Sequence, residues 1–291
     1  MELTFLSKVK SLCAYKLGFL YKRLAIILFH RTKDIPDGTV RHFTYVTMCS
    51  KDHLNMLNVS ILSLVKSWKA IPKFKIYSDG TISPGEIKRK LAWLGPAVEV
   101  ADVESCYDEL TLPDEDHFKS FAERHVMGKK LLVILCNARK HPILWSDSDV
   151  LWFRDFSRSL HPQLCLKMSR DYQPSYSPAF YDKYSELSAP PYLCAGFLFL
   201  AGDLSKKVDL FDMVNVAIER PDHFSEQTII ARAAKLLRSE NWSAEEIACF
   251  ESDKDSLIPD YWSRPWIARH YVGPVRHLFW RDALFLLAGL R

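Results

Sequence analysis

Pro142-Ile-Leu-Trp-Ser-Asp-Ser-Asp-Val150 lies near the middle of the 291-residue chain, and the rest of the sequence is read from it. Residues 142–145 predict a short buried strand, which places Asp147 and Asp149 at its carboxyl end. In a mostly parallel sheet, ligands bind outside the carboxyl ends of the strands. Two carboxylates two residues apart on an extended segment point to the same side. There they can share one hard cation, which in turn takes the oxygens of a diphosphate. Taken alone, Asp-x-Asp is a short pattern that fits a polar turn, with Asp as a helix cap, better than a site. An EF-hand loop is excluded: its sixth position would be Trp152 in place of Gly, and its twelfth Arg158 in place of Glu.

Upstream of this segment, strands and helices alternate. Residues 42–48 read as a buried strand and 54–68 as the helix after it. A second strand is expected over 74–77, a helix over 84–94 with Pro84 in its first turn, and a third strand over 97–100. Residues 118–140 read as a segment containing a helix whose apolar face runs over 131–135. This alternation implies an α/β fold with a mostly parallel, Rossmann-like sheet and helices on both faces. Beyond Phe153 the pattern changes. Strands are expected over 164–168 and 193–200, separated by a Tyr-, Ser- and Pro-rich loop at 171–192, and helices over 204–217 and 225–237. Residues 41–153 thus fit a nucleotide-binding half and residues 154–291 a mixed half suited to an acceptor.

Residues 1–40 stand apart as a basic helical extension and linker. Lys8, Lys10, Lys16, Lys22, Arg23, Arg31 and Lys33 against Glu2 give residues 1–33 a charge of +6, so the remainder of this +4 chain sums to −2. A slightly acidic body argues against nucleic-acid binding, which needs a basic face on the folded domain. Over 3–30, Leu6, Val9, Cys13, Leu17, Leu20, Leu24 and Ile27 recur at helical spacing, with Lys8 and Lys22 roughly opposite. A basic amphipathic helix of this kind fits either an anionic membrane surface or the protein's own core. No run reaches the roughly 18 apolar residues of a membrane span, and the features of a signal peptide are missing. The seven cysteines include no CxxC pair, and several sit in apolar runs. They read as reduced, buried thiols, and their spacing offers no zinc site. The expectation is a cytoplasmic protein, peripheral on the inner face of a membrane if the helix meets lipid.

Five further segments stand in order around the acidic motif. They are Phe43-Thr-Tyr-Val-Thr47 with the helix at 55–68, Gly128-Lys-Lys-Leu131, Cys194-Ala-Gly-Phe197, Ser225-Glu-Gln-Thr228, and His270-Tyr-Val-Gly-Pro-Val-Arg276 with Trp280 beyond it. In this set and order the sequence resembles the GT-A glycosyltransferases. The likeness is to the glycogenin-like and galactosyltransferase-like branch often called family 8, and to related bacterial transferases. It covers about residues 42–280, closest at the two metal motifs. The resemblance implies that Thr47, Met48 and Cys49 line the base and ribose. Lys130 first, and Lys129 second, would reach the diphosphate, although both equally fit a solvated helix face. Asp147 would touch ribose and metal, Asp149 would ligate the metal, and His270 would complete the ligand set for Mn²⁺ or Mg²⁺. Gly273 and Arg276 would hold the diphosphate, with Arg276 where the family has Lys. Only Gly196 is kept from the family's Asn-Ser-Gly-Val strand, where it lets a substrate approach the backbone. Glu226 and Gln227 match the segment near the donor sugar, and Glu226 also fits a helix N-terminus.

The implied function is sugar transfer from a nucleoside-diphosphate sugar, a UDP-sugar by resemblance, to a hydroxyl acceptor in glycan or glycolipid form. Cell-surface polysaccharide or glycoconjugate synthesis is the expected setting. An inverting reaction would need a carboxylate base, for which Glu226 and Asp171 are available; a retaining one needs none. Two alternatives remain at this level. One is a haloacid-dehalogenase-like phosphotransferase, whose Asp-x-Asp normally ends the first strand rather than following some 100 residues of α/β structure. The other is a non-catalytic sugar-nucleotide-binding protein.

Overall fold

The computed structural model describes residues 5–29, 35–107, 115–249 and 256–290, with side chains from residue 16 onward. Its frame is a seven-stranded sheet in the order β3-β2-β1-β4-β7-β6-β8. The strands are β1 Gly38–Cys49, β2 Ala70–Ser78, β3 Val98–Asp102, β4 Ile143–Ser146, β6 Leu166–Arg170, β7 Leu193–Leu200 and β8 Glu240–Trp242. A second, three-stranded sheet joins β5 Val150–Trp152, β10 Ala268–His270 and β9 Ile247–Ala248, in that spatial order. The helices are α1 Phe5–Phe29, α2 Leu54–Ser67, α3 Pro84–Lys90, α4 Glu115–Arg124, α5 Val126–Lys140, α6 Phe211–Glu219, α7 Ser225–Leu236 and α8 Leu278–Ala288.

The amino-terminal half is parallel throughout: β1 pairs β2 and β4, and β2 pairs β3. β7 then runs antiparallel between β4 and β6, which makes the second half mixed. β7 is buried along its whole length, as its unbroken run Leu-Cys-Ala-Gly-Phe-Leu-Phe-Leu requires of a strand covered on both faces. One face of the sheet is covered by α5 and α7, through residues such as Leu132, Leu135, Ile229 and Ile230. The other is covered by α2 and the small sheet, where Leu57, Ile61 and Leu64 meet Trp68, Trp152 and Phe197. Full burial of each such aliphatic or aromatic side chain contributes about 1.5–3 kcal/mol before entropy is counted.

Helix ends follow local chemistry. Ser83 and Glu86 form a reciprocal capping box at the start of α3. The segment 118–140, expected to contain a helix, holds the end of α4 and all of α5, which are separated because His125 is extended and caps α5 by accepting from the Met127 N–H at 3.2 Å. Gly128 marks the corner: a Cβ there would lie 2.3 Å from the Phe121 carbonyl oxygen, so α4 and α5 touch backbone to backbone. The helix expected from residue 204 starts in earnest at Phe211, where Asp209 accepts from the Phe211 N–H. α8, for which no helix was expected, ends on Gly289 in the left-handed region at φ 67°.

The amino-terminal extension is a helix, but its packed face is not the expected apolar stripe. α1 lies against α8 and α2, burying Gly18, Ala25 and Phe29, and Lys22 sits over the Trp280 ring at 5.5 Å. Leu20, Leu24 and Ile27 of the stripe point outward at 50%, 40% and 52% exposure, joined by Phe19 at 65%. The side chains of Leu6, Val9, Cys13, Lys8 and Lys10, and residue 34 of the linker, lie outside the described parts. β1 begins at Gly38, so the boundary expected after residue 40 falls inside a strand. No helix among the described residues is long and apolar enough to cross a membrane.

Candidate active site at the carboxyl edge of the sheet

β4 ends at Ser146, and the chain turns through Asp147, Ser148 and Asp149 into β5. The turn is pinned by backbone on both sides. Asp147 N–H donates to the Gly196 carbonyl of β7 at 2.8 Å, and Tyr271 N–H donates to the Asp149 carbonyl at 2.9 Å. That second bond continues the antiparallel ladder in which His270 faces Val150. Two segments 121 residues apart in sequence are thereby held in one register.

The side chains converge. His270 Nε2 lies 3.2 Å from Asp149 Oδ1 and 3.8 Å from Asp147 Oδ2. One ligand atom from each of Asp147, Asp149 and His270 can be chosen so that all lie within 4.8 Å of one another. Asp147 faces the opening, with 29% of its side chain exposed against 6% for Asp149. Arg276 reaches Asp149 Oδ2 through both Nε and an outer guanidinium nitrogen, each at 2.9 Å. Burial raises the Asp149 pKa, but His270 and Arg276 outweigh it and hold it down at about 2. Burial pushes the His270 pKa down; Cys194 and Asp149 push it up, and the net lies well above the ordinary histidine value. The Cys249 hydrogen bond and burial raise the Cys194 thiol, so it stays protonated at neutral pH and Asp149 is the charge that holds the imidazolium.

Lys130 lies beneath this pair. Its ammonium is engaged by Asp147 at 2.9 Å and by Glu226 Oε1 at 3.0 Å, and it lies 5.5 Å from the centre of the Trp145 ring. Burial lowers its pKa, but Asp147 and Glu226 raise it above the ordinary lysine value, so it stays charged. Trp145 adds a second donor to Asp147, its indole N–H reaching Oδ1 at 3.0 Å. Lys129 turns away and donates to the Asp79 carbonyl at 2.7 Å. Of the two lysines, Lys130 is therefore at the site, as a buried counter-charge rather than a solvated group. Glu226 Oε2 is buried and has no hydrogen-bond partner among the described residues.

Gly196 serves His270. A Cβ at 196 would lie 2.1 Å from the imidazole Cε1, so the ring fills the space that the sequence reading left for a substrate. Gln227 ties the start of β7 to the preceding loop: its Oε1 accepts from the Ala195 N–H at 3.0 Å and its Nε2 donates to the Ser175 carbonyl at 2.6 Å. Thr47 and Cys49 are buried at the carboxyl end of β1, and Met48 is partly buried. Gly273 opens the turn that carries Arg276, and a Cβ there would meet nothing within 4 Å. Asp171, Tyr172, Arg170, Pro190, Pro191 and Tyr192 line an open cavity of about 540 Å³, two residues along the chain from Cys194. The sequence reading missed the Trp145 indole and the Cys194 thiol, which sits 3.4 Å from His270 Nδ1; neither carries a motif of its own.

No family model and no curated protein matches the sequence. Solved structures do. The galactosyltransferase LgtC, solved with donor and acceptor sugar analogs, superposes with a TM-score of 0.54 at 14% identity, over 85% of this chain and 96% of its own. The bifunctional glycosyltransferase WbbM gives 0.56 at 11% identity, over 86% of this chain but half of its own length. The glycosyltransferase GlyE of Streptococcus pneumoniae TIGR4 gives 0.54 at 12%, over 86% of this chain and 63% of its own. The chain has the fold of the GT-A glycosyltransferases.

Proposed function

We propose that this protein transfers a sugar from a nucleoside-diphosphate sugar, taken here to be a UDP-sugar, to a hydroxyl of a glycan or glycolipid. The observation that carries the reading is the convergence of Asp147, Asp149 and His270 within 4.8 Å at the carboxyl edge of the sheet, with Arg276 on the same carboxylate.

The residues fit a divalent ion. Two carboxylates and an imidazole form an oxygen and nitrogen set suited to Mn²⁺, with Mg²⁺ as the harder alternative. Neighbouring ligand atoms around an ion bound at about 2.1 Å lie roughly 3 Å apart, close to the 3.2 and 3.8 Å seen from His270 to the two carboxylates. Asp149 and His270 would hold it, and Asp147, the more open carboxylate, would be shared with the ribose. The ion would supply Lewis-acid neutralisation of the charge that grows on the leaving diphosphate.

The chain's own groups complete the chemistry. Arg276 is partly exposed and can leave Asp149 for a phosphate, which a guanidinium binds bidentately as Lys cannot. The open space at Gly273 leaves its backbone accessible to the same diphosphate. Lys130 acts as a positioning residue, holding Asp147 through its ammonium while the Trp145 indole holds the same carboxylate. The unpartnered Glu226 Oε2 would accept a hydroxyl of the donor sugar, since a buried carboxylate oxygen without a partner is costly. Gln227 holds β7, and with it Cys194 and His270, in place. Thr47 sits at the strand end expected to face the base. The cavity at Asp171 and Tyr192 would take the acceptor. Glu226 is committed to Lys130 through one oxygen, which leaves Asp171, in the proposed acceptor cavity, as the carboxylate an inverting reaction would use; a retaining reaction needs none.

A thermal-shift screen of nucleoside diphosphates with and without Mn²⁺, repeated on Asp149→Ala, tests the reading. A UDP shift that needs Mn²⁺ and disappears in the variant is expected, because stabilisation follows ligand concentration over Kd. A shift independent of the metal, or unchanged in Asp149→Ala, would overturn it. Binding without transfer across a broad donor panel would favour a non-catalytic binder. The haloacid phosphotransferase reading loses its basis, because Asp147 follows the fourth strand rather than the first.

The outward face of α1 supports a further placement. Phe19, Leu20, Leu24 and Ile27 are exposed between Lys16 and Arg23, and Tyr21 donates to the carbonyl of Leu257, itself exposed beside Ile258. An apolar strip edged with cations matches an anionic lipid surface. On this reading α1 holds the site near lipid-linked acceptors of cell-surface glycan synthesis.

A further inference from the structure

The imidazole of His270 faces two different chemistries. Nε2 looks toward Asp149 and Asp147, whereas Nδ1 looks inward to sulfur, 3.4 Å from Cys194 Sγ. Cys249, just beyond β9, completes a second group: one ligand atom from each of Cys194, Cys249 and His270 can be chosen so that all lie within 4.8 Å of one another. All three side chains are buried. The two cysteines are 55 residues apart, so nothing in their sequence spacing shows the pair.

We propose that Cys194, Cys249 and His270 Nδ1 form a second metal site, one for a thiophilic divalent ion such as Zn²⁺ or Cd²⁺, and that filling it excludes the hard cation from Asp147, Asp149 and His270. Zinc bound tetrahedrally by sulfur at about 2.3 Å and nitrogen at about 2.0 Å sets its ligand atoms roughly 3.6–3.8 Å apart. The Cys194–His270 separation is already 3.4 Å, and no other separation in the group exceeds 4.8 Å, so closure needs side-chain shifts of about 1 Å. On binding, each thiol gives its proton to solvent and two metal–sulfur bonds form; no oxidant or reductant takes part.

Exclusion follows from the ring. A neutral imidazole has one in-plane lone pair to give to a metal, and its other nitrogen carries the hydrogen. With Nε2 on a hard cation, the Nδ1 hydrogen points at Cys194 Sγ. With Nδ1 on a thiophilic ion, the Nε2 hydrogen is donated to Asp149 Oδ1, 3.2 Å away. Each arrangement uses a contact already present, and each removes the other's ligand. Softness divides the ions: thiolates select Zn²⁺-type ions, carboxylates Mn²⁺ and Mg²⁺. The exclusion rests on reading Asp147, Asp149 and His270 as the hard-cation site; the thiol site does not.

Co²⁺ is the probe for the thiol site, because thiolate ligation gives a near-ultraviolet charge-transfer band that oxygen and nitrogen ligands do not. Reduced full-length protein titrated with Co²⁺ should develop the band at one equivalent, and Asp149→Asn should retain it. Cys194→Ser and Cys249→Ser, each checked for folding by circular dichroism, should lose it, and Cys249→Ala should do the same. In the second arm, Zn²⁺ should release protein-bound Mn²⁺, read as the free-ion electron paramagnetic resonance signal, at a lower concentration from the wild type than from Cys249→Ser, where only direct competition at the carboxylates remains; equal concentrations overturn the exclusion. A folded wild type without the band, or a band that survives both serine substitutions, overturns the thiol site. Zn²⁺ and Mn²⁺ bound together overturn the exclusion. Failure of Mn²⁺ to bind at all overturns the proposed function while the Co²⁺ band still decides the thiol site.

Discussion

Replacing Gly196 with alanine tests how the fold sets the position of His270. The added methyl would lie 2.1 Å from Cε1, 2.6 Å from Nδ1 and 2.7 Å from Nε2 of the ring. Ordinary contact starts at 3.4 Å, so ring and strand must part by about 1.3 Å, the difference between 3.4 and 2.1. β7 cannot supply that movement cheaply, because it is paired with β4 on one side and β6 on the other. The ring must therefore move, and it is bracketed by Cys194 and Asp149. Metal–ligand bonds tolerate about 0.2 Å, several-fold less than the shift required. Overpacking of this kind costs about 1–3 kcal/mol of stability, and Mn²⁺ affinity should fall by at least the 10–100-fold that follows loss of a ligand's supporting contacts. Urea denaturation reads the first effect, and calorimetric Mn²⁺ titration of the folded variant the second. Gly273→Ala is the control, since its Cβ meets open space; it should fold within about 0.5 kcal/mol of wild type but bind nucleoside diphosphate more weakly. A Gly196→Ala protein with wild-type stability and an Mn²⁺ Kd within twofold of wild type would show that the missing side chain at 196 does not set the position of His270.

Lys130→Met leaves Glu226 and Asp147 without their shared cation and should cost up to about 3–5 kcal/mol. Lys130→Met combined with Glu226→Leu should cost less than the single change; a denaturation series in which the double variant is no more stable contradicts the buried-pair account. Because the folded His270 pKa is raised, the metal-free protein gains stability from it below about pH 6.5. That gain is lost as pH rises through the folded value. Metal binding has the opposite sign: below the folded value each Mn²⁺ must displace a proton, so affinity rises with pH. Calorimetry in buffers of different ionisation enthalpy should show that proton release, and a pH-independent affinity would contradict it. Asp149 contributes stability above about pH 3.9 that is lost as pH falls through about 2. Leu20→Glu with Leu24→Glu should abolish sedimentation with anionic vesicles while leaving the melting temperature unchanged, since both side chains are exposed; undiminished sedimentation would remove α1 from the membrane reading.

The sheet was legible because its first half is built from local patterns. β1, β2 and β4 are largely apolar runs punctuated by turns, β3 interleaves apolar and acidic residues, and the helices between them show their own period. Asp147, Asp149, His270 and Arg276 were legible as motifs, and the structure brings all four together. What stayed hidden depends on partners far away in sequence. β5, β9 and β10 are two or three residues long, too short for any periodicity, and exist because they pair with one another. Lys130 gives no sign in sequence that Glu226 will meet it, nor Gly196 that a ring will occupy its missing side chain. On α1 the periodicity located a helix and left open whether its apolar stripe meets lipid or the protein's own core; the face that packs is another one, around Ala25 and Phe29. Gly18 and Ala25 are buried on that face, and small residues do not register in an apolar stripe.

The ladder between β5 and β10 also fixes an order of events. During synthesis Asp147 and Asp149 emerge first, and about 120 residues must follow before His270 can be laid beside them. α8, which comes later still, is locked to β10 by Asp282, whose carboxylate takes Arg269 at 3.0 Å and the Tyr271 hydroxyl at 2.6 Å. A nascent chain stalled in α7 therefore has both carboxylates but neither His270 nor Arg276 to set beside them. On the proposed reading, a partly made protein would have no complete metal centre to expose.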